Sequence, residues 1–216
     1  MREQLIERIK QDKLVVIVRG AKRDECIHLA EALGEGGVTL LEVTYNQSAP
    51  ETWTETAGII RELTDRFGDR MSFGAGTVMS TELVELTADA GGRFIVSPDT
   101  NADVIRMTLE LGLVSMPGAM TPTEVAAAHR AGADFVKLFP ACELGPGYVK
   151  QLKAPLSHIS LFAVGGITAA NARSFLDAGA DGLAVGGALA NRKMIDAGDW
   201  KALSQNAAEF IKLIKA

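Results

Sequence analysis

Residues 131–139 read AGADFVKLF and carry, side by side, the two signals that decide the fold of this chain. Gly132 closes a stretch with helical spacing, and glycine is the residue that most readily takes the left-handed conformation at a helix end. From Phe135 onward the chain is apolar on successive positions except at Lys137, which is typical of a parallel strand covered on both faces. A helix that leads at once into a buried strand is the repeating unit of α/β folds.

The same alternation extends over the whole chain. The sequence Ala-Gly-Ala-Asp occurs again at residues 178–181, once more between a helical stretch and an apolar run. Apolar runs of this kind predict eight strands, at residues 14–19, 40–44, 72–77, 93–97, 113–117, 134–139, 160–164 and 182–185. Stretches with helical spacing lie between them, and glycines end several of these stretches. Eight strands that alternate with helices predict a (β/α)8 barrel.

Length and composition fit one domain. The chain has 216 residues, of which 47% are hydrophobic, 6% aromatic and 23% charged, and no linker or low-complexity segment divides it. We therefore predict a single compact (β/α)8 TIM barrel over residues 1–216, opened by an amphipathic helix at residues 1–12. A doubly wound open sheet is the alternative, but residues 19–22, at the end of the first predicted strand, read RGAK and lack its usual G-x-G-x-x-G fingerprint.

Charge and cysteine content argue against several classes of function. A net charge of −5 disfavours nucleic acid or an anionic membrane surface as the main partner. The sequence contains no apolar run long enough to span a membrane, and its charged N-terminus lacks the apolar core of a signal peptide. Cys26 and Cys142 have neither the spacing of metal ligands nor that of a disulfide framework. We expect a soluble cytoplasmic protein without a bound metal.

Two ionisable residues interrupt the predicted strands. Lys137 stands within the run FVKLF, and Glu42 stands within the run LEV. Polar groups near the carboxyl ends of barrel strands form active sites. Burial lowers the pKa of a lysine and raises the pKa of a glutamate, which suits the lysine to attack on carbonyl carbon and the glutamate to general acid–base catalysis. The alternative is a buried ion pair with a structural role only.

Glycine pairs follow the last two predicted strands. They are Gly165-Gly166 and Gly186-Gly187. Because glycine lets backbone N–H groups approach an anion closely, and because barrels often bind phosphate after these strands, we predict a phosphate site there. Tight turns are the alternative interpretation. Many unrelated barrel enzymes bind phosphate in this place, so the glycines indicate a ligand group and not a reaction.

Several segments together resemble the KHG/KDPG aldolases, which are the bacterial 4-hydroxy-2-oxoglutarate and 2-keto-3-deoxy-6-phosphogluconate aldolases. The segments are VIVR at 16–19, GGV at 36–38 with LEVT at 41–44, GAGTV at 74–78, FIVSP at 94–98, PGAMTPTE at 117–124, KLFPA at 137–141 and GGI at 165–167. They follow one another in the family's order over nearly the whole chain.

The resemblance implies a class I aldolase, a homotrimeric barrel that needs no metal and no cofactor. It implies that Lys137 forms a Schiff base with a keto-acid substrate and that Glu42 is the general acid–base residue. The implied substrate-binding residues are Arg19, Thr77, Asn46, Pro98 and Phe139, and the implied phosphate-binding residues are Gly165, Gly166, Gly186 and Gly187. The expected substrate is 2-keto-3-deoxy-6-phosphogluconate, cleaved to pyruvate and an aldehyde such as glyceraldehyde 3-phosphate. The same chemistry on 2-keto-3-deoxy-6-phosphogalactonate or 4-hydroxy-2-oxoglutarate is the alternative.

Two departures from the family pattern bear on the substrate. Asn46 stands where many phosphogluconate-type members carry an arginine, and this asparagine resembles the 6-phosphogalactonate branch. Gly187 replaces a phosphate-binding serine, which removes one hydroxyl donor. Two other classes of function remain as alternatives. A phosphate-binding barrel isomerase would not need a lysine in an apolar strand, and a non-catalytic sugar-acid binder gains nothing from a costly buried pair.

Overall fold

The computed structural model describes residues 2–216, in which strands alternate with helices along most of the chain. The strands are β1 (Leu14–Val18), β2 (Leu40–Thr44), β3 (Ser72–Gly76), β4 (Phe94–Val96), β5 (Val114–Met116), β6 (Gly118–Ala119), β7 (Val136–Leu138), β8 (Leu161–Val164) and β9 (Gly182–Val185). The helices are α1 (Arg2–Asp12), α2 (Arg23–Glu35), α3 (Trp53–Phe67), α4 (Thr81–Asp89), α5 (Ala102–Glu110), α6 (Pro122–Arg130), α7 (Ala141–Lys153), α8 (Ala172–Asp177), α9 (Arg192–Asp196) and α10 (Trp200–Lys215). In residues 2–216 no helix combines the length and the apolar character that crossing a membrane requires.

The strands form one ring of parallel neighbours. Their order is β5-β4-β3-β2-β1-β9-β8-β7-β6. β5 and β6 are two segments of one strand, parted at Pro117, and they pair with β4 and β7 respectively. The carbonyl of Pro117 accepts a hydrogen bond from the backbone N–H of Lys137 at 2.8 Å, so the ring also closes at the interruption. Counted in this way the barrel has eight strands, and the predicted (β/α)8 fold is confirmed.

Side chains alternate between two apolar clusters. The larger cluster lies between the strands and the surrounding helices, and the smaller one fills the inside of the barrel. Leu5 and Ile9 of α1 belong to the inner cluster and close the amino-terminal end of the barrel. Because the interior is filled from this end, the open end is the one at which the strands have their carboxyl termini.

The repeated sequence Ala-Gly-Ala-Asp has the same structural role in both places. The glycines of the two repeats, Gly132 and Gly179, have φ of 98° and 103°, which is the left-handed conformation predicted for a helix end. The carboxylate of Asp134 accepts from the backbone N–H of Ser115 at 2.9 Å, and that of Asp181 accepts from the N–H of Leu161 at 2.8 Å. Each repeat therefore ends one helix and fixes the start of the neighbouring strand, β5 or β8.

Candidate active site

Lys137 and Glu42 point into the barrel from opposite sides. They are the central residues of β7 and β2, and three strands separate these two in either direction around the ring. Lys137 is 6% exposed and Glu42 is 2% exposed. Apolar side chains of the inner cluster, Phe94 and Phe162 among them, fill the barrel on the same inward face. Both ionisable groups therefore lie in an environment of low polarity.

The hydrogen bonds of Glu42 differ between its two oxygens. Oε1 accepts from the hydroxyl of Thr44 at 3.2 Å. Oε2 is buried and has no hydrogen-bond partner in residues 2–216. Neither oxygen is therefore hydrogen-bonded to Lys137, and the geometry does not favour the alternative of a purely structural ion pair. A buried carboxylate oxygen without a partner costs free energy, which a substrate hydroxyl would recover by donating to it.

Burial dominates the titration of both groups. It raises the pKa of Glu42 above the ordinary value, and the smaller effects of the Lys137 charge and the Thr44 hydroxyl oppose it. Burial lowers the pKa of Lys137; the negative charge of Glu42 opposes this shift, and the positive charge of Arg19 adds to it. Both shifts favour the uncharged forms, in the directions that the sequence predicts for a nucleophilic lysine and an acid–base glutamate.

Glu42 has room for its carboxylate only because Gly76 has no side chain. A Cβ on Gly76 would lie 1.6 Å from Oε1 and 2.2 Å from Cδ of Glu42. The φ of Gly76 is not in the left-handed region, so space and not backbone conformation requires the glycine. Sequence reasoning assigned a role in this motif to Thr77 and missed Gly76. The sequence signal for Gly76 was the pair of glycines at alternate positions of β3, which leaves one face of the strand without side chains.

A cavity of about 570 Å³ lies over the carboxyl ends of β1, β2 and β3, and the predicted residues Arg19, Asn46 and Thr77 line it. Arg19 Nη2 lies 3.4 Å from the hydroxyl oxygen of Thr77. Thr44 also lines the cavity and connects it to the buried Glu42 through its hydroxyl. A second cavity, of about 540 Å³, lies at the opposite end of the barrel between α1 and the starts of β3 and β4. No predicted site residue lines that second cavity.

The loop after β2 contributes one predicted residue and one that sequence reasoning missed. The side-chain oxygen of Asn46 accepts from the backbone N–H of Ser48 at 3.0 Å, so its amide nitrogen is the end left for a ligand. Gln47 donates from Nε2 to the carbonyl of Thr77 at 2.6 Å and lines the same cavity. No sequence motif indicates a role for Gln47, because its hydrogen-bond partner, Thr77, lies in a different βα unit.

Phe139 and Pro98 are the two remaining residues predicted to bind substrate, and they lie in different surroundings. The ring of Phe139 lies 5.1 Å from Lys137 Nζ, and its side chain is 40% exposed, so it is within reach of a ligand on the lysine. Pro98 lies two residues after the end of β4 and packs against Gly118, where an added Cβ would lie 2.3 Å from the carbonyl oxygen of Pro98. Pro98 does not line the 570 Å³ cavity, and neither do Lys137 and Glu42, so the role of Pro98 in substrate binding stays a prediction.

The two glycine pairs lie side by side at the carboxyl ends of β8 and β9, which are neighbours in the barrel. Gly165 and Gly166 have φ of 97° and 73°, both in the left-handed region. A Cβ on Gly187 would meet no atom within 4 Å, so its surroundings are open. The arrangement offers exposed backbone next to free space, as phosphate binding requires. Within the described part of the chain, no three His, Cys, Asp or Glu side chains stand together as a metal ion would need.

Comparison with known proteins assigns the chain to a family. The family model described as KDPG and KHG aldolase matches residues 5–206. The 2-dehydro-3-deoxy-6-phosphogalactonate aldolase of Escherichia coli is 37% identical over 92% of this chain and 93% of its own length. The 2-dehydro-3-deoxy-phosphogluconate aldolase of Haemophilus influenzae is 29% identical over 99% of this chain and 98% of its own. A cube-shaped protein cage designed by fusing symmetric oligomeric domains matches with a TM-score of 0.83 and 35% identity, over 94% of this chain and 72% of the cage chain.

A barrel of eight parallel strands with polar residues gathered at its carboxyl end defines the chain as a TIM-barrel enzyme. The chain belongs to the KDPG and KHG aldolase family and is a carbon–carbon lyase that acts on a small molecule. The resemblance inferred from the sequence motifs is thereby confirmed.

Proposed function

We propose that the protein is a class I aldolase that cleaves a 2-keto-3-deoxy sugar acid to pyruvate and an aldehyde. The observation that carries the proposal is the buried Lys137 on β7 facing the buried Glu42 on β2, with no hydrogen bond between them. An isomerase or a non-catalytic binder has no use for this pair. The mechanism needs no metal and no cofactor, because the imine itself serves as the electron sink.

Imine formation is the first half of the proposed mechanism. Burial depresses the pKa of Lys137, which raises the fraction of neutral amine that can attack the C2 ketone. Loss of water from the resulting carbinolamine leaves a protonated imine at C2. Thr77 and Arg19 line the cavity over the carboxyl ends of β1 to β3, next to each other, and are suited to hold the substrate carboxylate.

Carbon–carbon cleavage is the second half. Glu42 takes the proton of the C4 hydroxyl, the electron pair of the C3–C4 bond moves into the imine, and the aldehyde leaves. The enamine that remains is protonated at C3, with the protonated Glu42 as the nearest acid, and hydrolysis of the imine releases pyruvate. The raised pKa of Glu42 suits a group that must both accept and return a proton.

The substrate we propose is a phosphorylated six-carbon keto-deoxy acid. The sequence motifs favour 2-keto-3-deoxy-6-phosphogluconate, whereas Asn46 and the 37% identity to a phosphogalactonate aldolase favour the C4 epimer. The ratio of kcat/KM for the two epimers decides between them. We expect weak selection for the phosphate, since Gly187 supplies no hydroxyl, and a preference above about a thousandfold over the unphosphorylated acid would contradict this.

The test of the proposed chemistry is trapping with borohydride in the presence of pyruvate. Reduction of the imine leaves a stable adduct, detected by intact mass and located by peptide mapping. We expect one adduct per chain, on Lys137, and none in Lys137→Ala. Lys150→Ala, which removes an exposed lysine of α7, is the matched control and should be trapped like the wild type. A wild-type protein that forms no adduct would overturn the class I mechanism and favour the isomerase or the binder.

Family membership also supports a cytoplasmic homotrimer. The similarity to a cage assembled from symmetric oligomeric domains supports self-association of this fold.

A further inference from the structure

Thr77, the residue directly after β3, holds a backbone conformation that its own side chain disfavours. Its φ is 56°, in the left-handed region, which a β-branched residue rarely adopts. Such conformations persist only where surrounding contacts enforce them, and they concentrate at functional sites. In the proposed function, Thr77 is also one of the residues that bind the substrate carboxylate. The contact that enforces its conformation therefore bears on substrate binding.

The neighbours of Thr77 on both sides are held by the regular bonding of the barrel. The carbonyl of Gly76 accepts from the N–H of Tyr45 at 3.0 Å, and the N–H of Val78 donates to the carbonyl of Val96 at 3.2 Å. The carbonyl of Thr77 itself is turned toward the loop after β2. There it accepts from Nε2 of Gln47 at 2.6 Å, a side-chain contact between two different βα units.

We infer that Gln47 is a positioning residue for substrate binding. Its side-chain amide holds Thr77 in the left-handed conformation and thereby keeps the Thr77 hydroxyl beside Arg19, 3.4 Å away, at the wall of the cavity that all three residues line. The inference rests on the proposed function, because it concerns the binding of a keto-acid carboxylate. It assigns a role to a residue outside every motif by which the site was found.

The position of Gln47 makes the inference testable without unfolding the protein. Gln47 is only half-buried, belongs to a loop, and is absent from the apolar clusters. Replacing it should change the orientation of Thr77 and leave the barrel intact. Lys137 and Glu42 remain in place in such a variant, so the chemical steps should proceed at nearly the normal rate once pyruvate is bound.

The experiment follows the exchange of the C3 protons of pyruvate with deuterated water by NMR, which requires the imine and enamine but no aldehyde. Gln47→Met keeps the length of the side chain and removes the donor. We expect the pyruvate concentration at half-maximal exchange to rise about five- to tenfold, as for one lost hydrogen bond, while the maximal exchange rate changes less than about twofold.

A second variant separates the hydrogen bond from other effects. In Gln47→Glu an ionised carboxylate would face the carbonyl of Thr77, so at neutral pH this variant should bind pyruvate more weakly than Gln47→Met. When the pH is lowered until the new carboxyl is protonated and donates again, its half-saturation value should return toward that of wild type at the same pH. Ser48→Glu places the same charge at the neighbouring cavity residue and is the matched control for electrostatic repulsion of pyruvate.

A double substitution tests whether Gln47 acts through Thr77. In a Thr77→Ala background, Gln47→Met should raise the half-saturation value less than about twofold, because the contact then orients no hydroxyl. If Gln47→Met reached half-maximal exchange at the same pyruvate concentration as the wild type, the inference would be overturned and the proposed function would stand. Equal weakening by Gln47→Glu and Ser48→Glu at every pH would overturn it as well. Absence of exchange in the wild type would instead overturn the proposed function itself, and with it the role of Gln47.

Discussion

The carboxylate of Glu42 lies against Gly76 so closely that a single added carbon would take its place. Gly76→Ala puts a Cβ where Oε1 now lies, and the carboxylate must move by more than a van der Waals adjustment. We expect kcat/KM for cleavage to fall at least about a hundredfold, because a misplaced acid–base group loses most of its effect. Gly147→Ala, where a Cβ would meet no atom within 4 Å, is the matched control and should keep full activity.

Stability measurements on the same residue separate crowding from other causes. Gly76→Ala should lower the free energy of unfolding by about 1–3 kcal/mol, the usual cost of overpacking a filled interior. In a Glu42→Ala background the same substitution should cost less than half as much, since the crowded atoms are gone. Urea unfolding of the four proteins gives both numbers. An equal cost in the two backgrounds would contradict the steric explanation.

The burial of Lys137 also predicts how the free energy of unfolding depends on pH. The pKa of Lys137 is lower in the folded protein than its ordinary value of 10.5, so below that value the unfolded chain binds the proton more tightly. Lys137 therefore reduces stability at pH 7, and this cost disappears as the pH rises toward 10.5. Lys137→Met should therefore raise the free energy of unfolding at pH 7, because it removes the cost of burying the ammonium group.

The measurement is urea unfolding of wild type and Lys137→Met at pH 7 and pH 10. The gain from the substitution should be smaller at pH 10 than at pH 7. The exposed Lys150→Met is the control, and its effect should be small at both pH values. A gain for Lys137→Met that grows with pH would show that burial does not depress the pKa of this lysine.

At the level of elements, the carboxylate that ends each Ala-Gly-Ala-Asp repeat accepts a hydrogen bond from the backbone of the neighbouring strand and so holds that strand in place. Asp181 accepts from the N–H of Leu161 at 2.8 Å and from Lys153 Nζ at 2.8 Å. The lysine contact adds little, because the Asp181 side chain is 37% exposed and water screens the charges. The backbone contact is the important one, since it satisfies the first N–H of β8.

Asp181→Ala should therefore lower the free energy of unfolding by about 1–3 kcal/mol, the cost of a buried donor left without an acceptor. Asp177→Ala, which removes an exposed carboxylate from the end of α8, is the matched control and should cost less than about 0.5 kcal/mol. Asp181→Asn, which keeps an acceptor oxygen, should lie between the two. Chemical denaturation checks all three, and equal effects of Asp181→Ala and Asp177→Ala would contradict the proposed role.

For the whole molecule, the proposed trimer predicts a single species in solution. Light scattering coupled to size-exclusion chromatography should give three times the mass of one chain, independent of loading concentration over at least a tenfold range. A monomer that is active in the pyruvate exchange assay would contradict the trimer and leave the catalytic proposal intact, because both ionisable groups of the site lie inside one barrel.

The amino-acid sequence by itself determined the elements and predicted the residues on which the proposed chemistry depends. Strands that are covered on both faces must be apolar on successive positions, and helices that end in a left-handed residue favour glycine, so both can be identified locally. The same logic singled out Lys137 and Glu42, because a charge within an apolar strand is costly wherever that strand lies. These predictions depend on a few neighbouring residues, which is why they needed no knowledge of the fold.

Only the tertiary structure decided which residues meet. It placed Glu42 over Gly76, joined Gln47 to Thr77, and packed Gly118 against Pro98. Each of these contacts joins different strands or loops, so it depends on the register and tilt with which the strands close into a barrel. Local sequence patterns do not encode that register, because the same alternation is compatible with many relative positions of neighbouring strands.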